Sequence, residues 1–116
     1  DRGAQASMRY NHIERTVDIN PTEGLVLRSG EVQSPAMGTA HEITHAAQHD
    51  RIGDEAFSKN IESPWDSSAQ AYRVSSEEVR ATAVESVIAE ELGEPKRDHY
   101  LDDVGTIETS GPTSRR

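Results

Sequence analysis

Residues 41–45 read His-Glu-Ile-Thr-His, an H-E-x-x-H run. On a helix, positions i and i+4 share a face, so His41 and His45 can present two imidazoles to one metal ion. Glu42 stands beside them, placed to take a proton from water at that metal. This is the chemistry of a zinc-dependent hydrolase, with a peptidase as the first expectation. A pair of surface histidines is the bland alternative, and the flanking residues argue against it. Ser34-Pro35 is a helix-start signal, serine at N-cap and proline at N1. Met37, Ala40, Ile43, Thr44 and Ala47 recur at helical spacing, and Gly53-Asp54 follow where the helix should end. The spacing predicts a helix over about 35–49 with the motif in its middle.

Catalytic zinc takes three protein ligands and a water. A metzincin would place its third histidine six residues after His45. That position is Arg51, which excludes the pattern. His49 lies one turn further along, but His41 and His49 are separated by about 12 Å of helix axis at ~1.5 Å per residue. Two Zn–N bonds of ~2.1 Å do not span that distance while His45 also binds. His49 is read as a residue behind the ligands or facing solvent. Glu77-Glu78 are better placed. They open a second helix, predicted over about 76–92 from Val79, Ala83, Val84, Val87, Ile88 and Leu92, and stopped by Gly93 and Pro95. A carboxylate from it would complete a His₂Glu set. The same residues fit a capping box, Ser75 with Glu78, and the helix dipole favours acids there. On the residues alone, ligand and cap stand equal for Glu78.

The segment Ser34-Pro35-Ala36-Met37-Gly38-Thr39-Ala40-His41-Glu42-Ile43-Thr44-His45-Ala46-Ala47, followed by Ser76-Glu77-Glu78-Val79-Arg80-Ala81-Thr82, resembles the NleD-like effector zinc metallopeptidases. Those carry a small-residue lead-in, H-E-L-x-H-A, a variable stretch, then E-E-x-R. The two blocks are similar to H-E-L-x-H and E-E-L-R-T-F-G of clostridial neurotoxin light chains, where the second glutamate of the pair binds zinc. The resemblance therefore implies Glu78, rather than Glu77, as the third ligand. It covers residues 34–100 and is specific at the two blocks; Ala83-Val84 stand where the neurotoxins have an aromatic residue and glycine. The run from Glu91 to Tyr100 resembles the end of similar domains at the C-termini of Rhs and related polymorphic toxins.

The resemblance implies a small α+β, zincin-like domain of gluzincin type with Zn²⁺ as cofactor. It implies an endopeptidase that cleaves a protein or peptide substrate in the cytoplasm of a target cell. Such a domain is delivered as part of a longer secreted polypeptide and is held in check by a cognate immunity protein. In the expected mechanism Glu42 is the general base, and a further donor steadies the oxyanion. Tyr100, His99, Tyr72 and Arg80 are the candidates, and Tyr100 is the one carried forward. A non-peptidase zinc amidohydrolase would use the same ligands. A metal-stabilised binding module without catalysis would not need Glu42.

The remaining features bound these readings. Hydrophobic residues make up 33 % and aromatics 4 %, so the core is small and a metal or partner would help to hold it. There is no cysteine, hence neither disulfide nor thiolate ligand. No apolar run reaches the ~18 residues of a membrane span, and no signal peptide is evident. A start at Asp1 rather than at Met suggests a fragment or a processed product. The net charge of −9 argues against a nucleic-acid partner and suits a basic protein surface, or solubility alone. Tyr10 to Ile19 alternates loosely like a strand, and Leu25-Val26-Leu27 reads as a better one, expected to run beside the cleft where an extended substrate could pair with it. Residues 50–75 read as loop, anchored by Phe57 and Trp65, and His99-Tyr100-Leu101 as a short closing element. One domain is expected over 1–110, with a structureless tail over 111–116.

Overall fold

Three helices and seven short strands make up the computed structural model, which describes residues 8–116. In chain order they are β1 (Arg9–Asn11), β2 (Thr16–Asp18), β3 (Glu23–Leu27), β4 (Val32–Gln33), α1 (Pro35–Ile52), α2 (Asp54–Asn60), β5 (Trp65–Asp66), β6 (Ala71–Tyr72), α3 (Ser76–Leu92) and β7 (Asp103–Glu108). The result is a small α+β domain whose sheets are all antiparallel.

Both long helices start and stop at their signals. Ser75 caps α3 by accepting from the Glu78 N–H. Gly93 ends it in the left-handed conformation at φ 72°, and the Gly93 and Glu94 N–H groups bond back to Glu90 and Ala89, a Schellman closure that needs glycine at this place. Ser34 marks the start of α1 but does not cap it, since its hydroxyl and N–H both go to the Glu94 carboxylate. The Ala36 N–H is served instead by the Pro112 carbonyl at 2.8 Å. The C-terminal segment is thus tied down rather than structureless: Arg115 also bonds the Gly93 carbonyl. An unsatisfied helix terminus draws it in.

The stretch expected as loop is more ordered than its composition suggests. α1 runs to Ile52, Gly53 breaks it at φ 88°, and α2 begins at once with Asp54 and Glu55 in its first turn, where the dipole favours them. β5 and β6 form a hairpin after it. Phe57 anchors this region, only 2 % exposed, but Trp65 does not; it is 53 % exposed and packs edge-on against Tyr72 of the same hairpin. Phe57→Ala is therefore expected to cost about 3–5 kcal/mol, and Trp65→Ala about 1 kcal/mol. Urea unfolding of the two variants measures the difference; equal losses would contradict this assignment of the core.

The single strand expected over residues 10–19 is instead a hairpin over 9–18, β1 with β2, turned through Arg15 in the left-handed region. The larger sheet has the order β4-β3-β7. β3 is its central strand, Leu25 facing Gln33 on one side and Thr106 on the other. An extended substrate cannot add to a strand already paired on both sides, which overturns the expectation for residues 25–27. The closing element is β7; residues 99–101 are a turn before it.

The faces of the two long helices are the main departure. α3 exposes Val79 and Leu92 (59 % and 64 %) and buries Glu77, Ala81, Thr82, Glu85 and Ala89. α1 exposes Ile43 and buries Met37, His41, His45, Gln48 and His49. The helical period holds, but the buried stripe carries His41, His45, Glu77 and Glu85 among small and apolar residues, while the larger apolar side chains of α3 lie outside it. Ionisable groups can sit there only if they satisfy one another. Among the described residues no helix is long and apolar enough to cross a membrane.

Candidate metal centre

α1 sets His41 and His45 one turn apart, with ring centroids 4.7 Å from each other. α3 brings Glu78 against both. Its Oε1 lies 2.8 Å from His41 Nε2 and 3.0 Å from His45 Nε2. One ligand atom from each of the three residues falls within 4.8 Å of the others, close enough to bind a single metal ion.

The opposite ring nitrogens are held by carboxylates. His41 Nδ1 meets Glu85 Oε1 and His45 Nδ1 meets Glu77 Oε2, each at 2.9 Å. Such contacts fix the tautomer and aim Nε2 at a metal. Each carboxylate is gripped from behind. Arg80 donates to both oxygens of Glu77 and to the Thr44 carbonyl. Arg97 donates to both oxygens of Glu85, and Gln33 adds a third bond there. Glu77 and Glu78, equal as neighbours in the sequence, thus have different places: Glu78 faces both Nε2 atoms and Glu77 backs His45.

The donor chemistry fits a cation. With Glu77 accepting at Nδ1, a neutral His45 turns its Nε2 lone pair toward Glu78, another acceptor, at 3.0 Å. Two acceptors hold that distance only with a proton or a metal ion between them. In the metal-free protein protons meet the need. Burial alone would lower the His41 pKa, but hydrogen bonds to Glu78 and Glu85 outweigh burial and raise it to about 9. Burial would raise Glu78 and Glu85, yet His41 and His45 bring Glu78 down to about 2, and His41 with Arg97 bring Glu85 to about 2.

Glu42, the expected base, lines the same cleft of about 330 Å³ with His41, His45, Glu78, Arg97 and Tyr100. Burial raises its pKa, opposed by the nearby histidines. One of its oxygens accepts the Tyr10 backbone N–H at 2.8 Å. The Tyr100 ring stacks on His41 at 5.7 Å, with the Arg97 guanidinium 5.3 Å from its centre. The other three oxyanion candidates lie elsewhere. Arg80 is committed behind Glu77, Tyr72 is on the exposed hairpin, and His99 lines a neighbouring groove, with Val79 and Thr82, that borders the cleft at Tyr100. His49 neither ligates nor faces solvent. It is buried against Phe57 at 4.5 Å, bonded at Nδ1 to the Tyr10 hydroxyl and at Nε2 to Asp54.

Glu85, Arg97 and Tyr10 are the site residues that sequence reasoning missed. Glu85 had a signal, since it lies two turns after Glu78 on the same helix face. Arg97 and Tyr10 had none, because they reach the site from 56 and 32 residues away in the chain. Comparison with family models, with curated proteins and with solved structures returned no match.

The cluster sets a pH dependence. His41 has a folded pKa above its ordinary 6.5, so its stabilisation is complete below pH 6.5 and is lost as pH rises through about 9. Glu78 and Glu85 are depressed from 4.5, so theirs is complete above pH 4.5 and is lost as pH falls through about 2. The metal-free domain is expected to be most stable between those limits. Metal binding needs unprotonated imidazoles. The gain in Tm on adding metal to chelator-treated protein should therefore widen between pH 6.5 and 9. A gap that narrows over that range would contradict the ligand assignment.

Proposed function

We propose that this domain is a zinc-dependent endopeptidase of gluzincin type. The observation that carries the reading is the convergence of His41 Nε2, His45 Nε2 and the Glu78 carboxylate in an open cleft that also holds the non-ligating Glu42. Two imidazoles and one carboxylate, with no thiolate, suit zinc in a catalytic rather than a closed structural site. Zinc held by these residues would supply a Lewis acid and lower the pKa of water toward ~7. Glu42 takes the proton as the water oxygen bonds to the peptide carbonyl carbon. It then delivers that proton to the amide nitrogen as the C–N bond breaks. The Tyr100 side chain, stacked beside His41, is proposed to steady the oxyanion, and Arg97 supports it through the Tyr100 carbonyl and ring face.

The biological setting rests on the resemblance of the two blocks and of the run from Glu91 to Tyr100. It supports an NleD-like effector or Rhs-type toxin domain, delivered into the cytoplasm of a target cell as part of a longer polypeptide and neutralised by a cognate immunity protein. The net charge of −9 suits a basic protein partner. Wild type and Glu42→Gln, each with and without chelator, are to be incubated with bacterial and with yeast lysate, and new peptide N-termini read by mass spectrometry. New termini confined to wild type without chelator are expected. Their absence from both lysates with zinc-loaded protein would overturn the peptidase reading in favour of another amide substrate. Growth on expression in bacteria and in yeast tests the toxin reading, with Glu42→Ala as the control; harmlessness in both hosts would count against it.

A further inference from the structure

We propose that the β1–β2 hairpin is a working part of the site, because the Tyr10 backbone N–H positions the carboxylate of Glu42. The proposal rests on the peptidase reading above for its meaning, and on independent contacts for its geometry. A general base that shuttles a proton uses one oxygen toward water, and its aim depends on what holds the other. Here Oε1 accepts the Tyr10 N–H at 2.8 Å. Tyr10 lies opposite Val17 in the hairpin, and its N–H points to Glu42, so it takes no part in the β1–β2 ladder.

The strand is held at that place by a chain of side chains. The Tyr10 hydroxyl donates to His49 Nδ1 at 2.7 Å, and His49 Nε2–H donates to Asp54 Oδ1 at 2.5 Å. Asp54, an acceptor only, fixes this tautomer. Arg15, in the hairpin turn, bonds the same Asp54 oxygen at 2.8 Å. The Tyr10 ring stands edge-on to Phe57, which is stacked on His49. At the other end the Met8 side chain lies against α1, where a Cβ at position 38 would stand 3.1 Å from its sulfur; glycine there leaves room for it. His49 thus acts as a latch for the strand that holds the base, and positions 38, 42 and 49 of α1 all face the hairpin. Tyr10 is a positioning residue in this scheme.

The test replaces Tyr10 by its α-hydroxy-acid analogue, which exchanges the N–H for an ester oxygen and keeps the phenol. With fluorescein-labelled casein as probe, kcat is expected to fall by about 10- to 100-fold, the strength of a hydrogen bond to a charged acceptor, with KM and zinc content unchanged. Tyr10→Phe retains the N–H and should lose less. An unchanged kcat overturns the proposal. So does a rise, which would mean that β1 sits where substrate binds. A second readout is independent of turnover: hydrogen exchange at the Tyr10 amide in zinc-loaded protein, expected to be slow in wild type and fast in Glu42→Ala. Fast exchange in wild type overturns the proposal. Slow exchange in a wild-type protein that cleaves nothing would overturn the peptidase reading and leave the hold on Glu42 standing.

Discussion

Glu42→Gln is expected to leave the domain folded and able to bind one zinc per chain, and to lower hydrolysis by about 10²–10⁴-fold, the contribution of a general base. The separation follows from placement. Glu42 lines the cleft beside the ligands, while the three atoms that converge belong to His41, His45 and Glu78. Glutamine has the same shape, and its amide oxygen still accepts the Tyr10 N–H. What is lost is the ability to take up a proton. Zinc content by atomic absorption, the urea midpoint and turnover on the substrate found in lysate measure the three properties separately. A Glu42→Gln protein with near wild-type turnover would remove the proposed mechanism, and one that fails to hold zinc would move Glu42 into the ligand set.

Glu85→Ala is expected to damage both fold and site. Glu85 is buried and accepts from Arg97, Gln33 and His41. Removing it leaves the buried Arg97 guanidinium without its carboxylate, a loss of about 3–5 kcal/mol for a broken buried pair. In a domain whose total stability is on the order of 5–15 kcal/mol, that is a large share. It also takes away the carboxylate that fixes the His41 tautomer and leaves the Arg97 guanidinium facing Nδ1, so zinc affinity should drop by about 10–100-fold. Glu78→Ala makes the contrast. Glu78 sits in the first turn of α3, partly exposed, and its partners His41 and His45 can shed their protons when it is removed, so its loss should cost the metal-free fold less than that of Glu85 while weakening zinc by ~10-fold or more. Glu77→Ala, acting through His45, should weaken zinc less than Glu78→Ala. Titration with a competing zinc indicator, alongside unfolding of the metal-free proteins, gives both quantities. If Glu78→Ala destabilised the metal-free fold as much as Glu85→Ala, the two carboxylates would have to exchange the places argued for them.

The parts of this site that were legible in the chain are those that depend on local geometry. An i, i+4 spacing puts His41 and His45 on one side of any helix, whatever packs against it. Ser75 and Gly93 bracket α3 through contacts within a few residues, so its limits of 76 and 92 could be read directly. The end of α1 was read three residues short, because Asp50-Arg51-Ile52 carry no stop signal before Gly53.

Which side of each helix is buried is another matter. Apolar periodicity points to Val79, Ala83, Val84, Val87, Ile88 and Leu92; Val84 and Ile88 are half-buried and the other four exposed. In most helices the apolar stripe faces inward because burying it is favourable. Here α1 and α3 meet through His41, His45, Glu77 and Glu85, a polar seam that forms only because each charge on one helix finds its complement on the other or on Arg80 and Arg97. No single helix contains that information. The histidine spacing and the acidic pair of α3 are local properties of the chain; the choice of Glu78 to face both imidazoles, the buried Glu85–Arg97 pair behind His41 and the Tyr10 amide on Glu42 arise only when distant segments close on one another, since a hydrogen bond between remote residues is specified by where both backbones lie and by neither residue type alone.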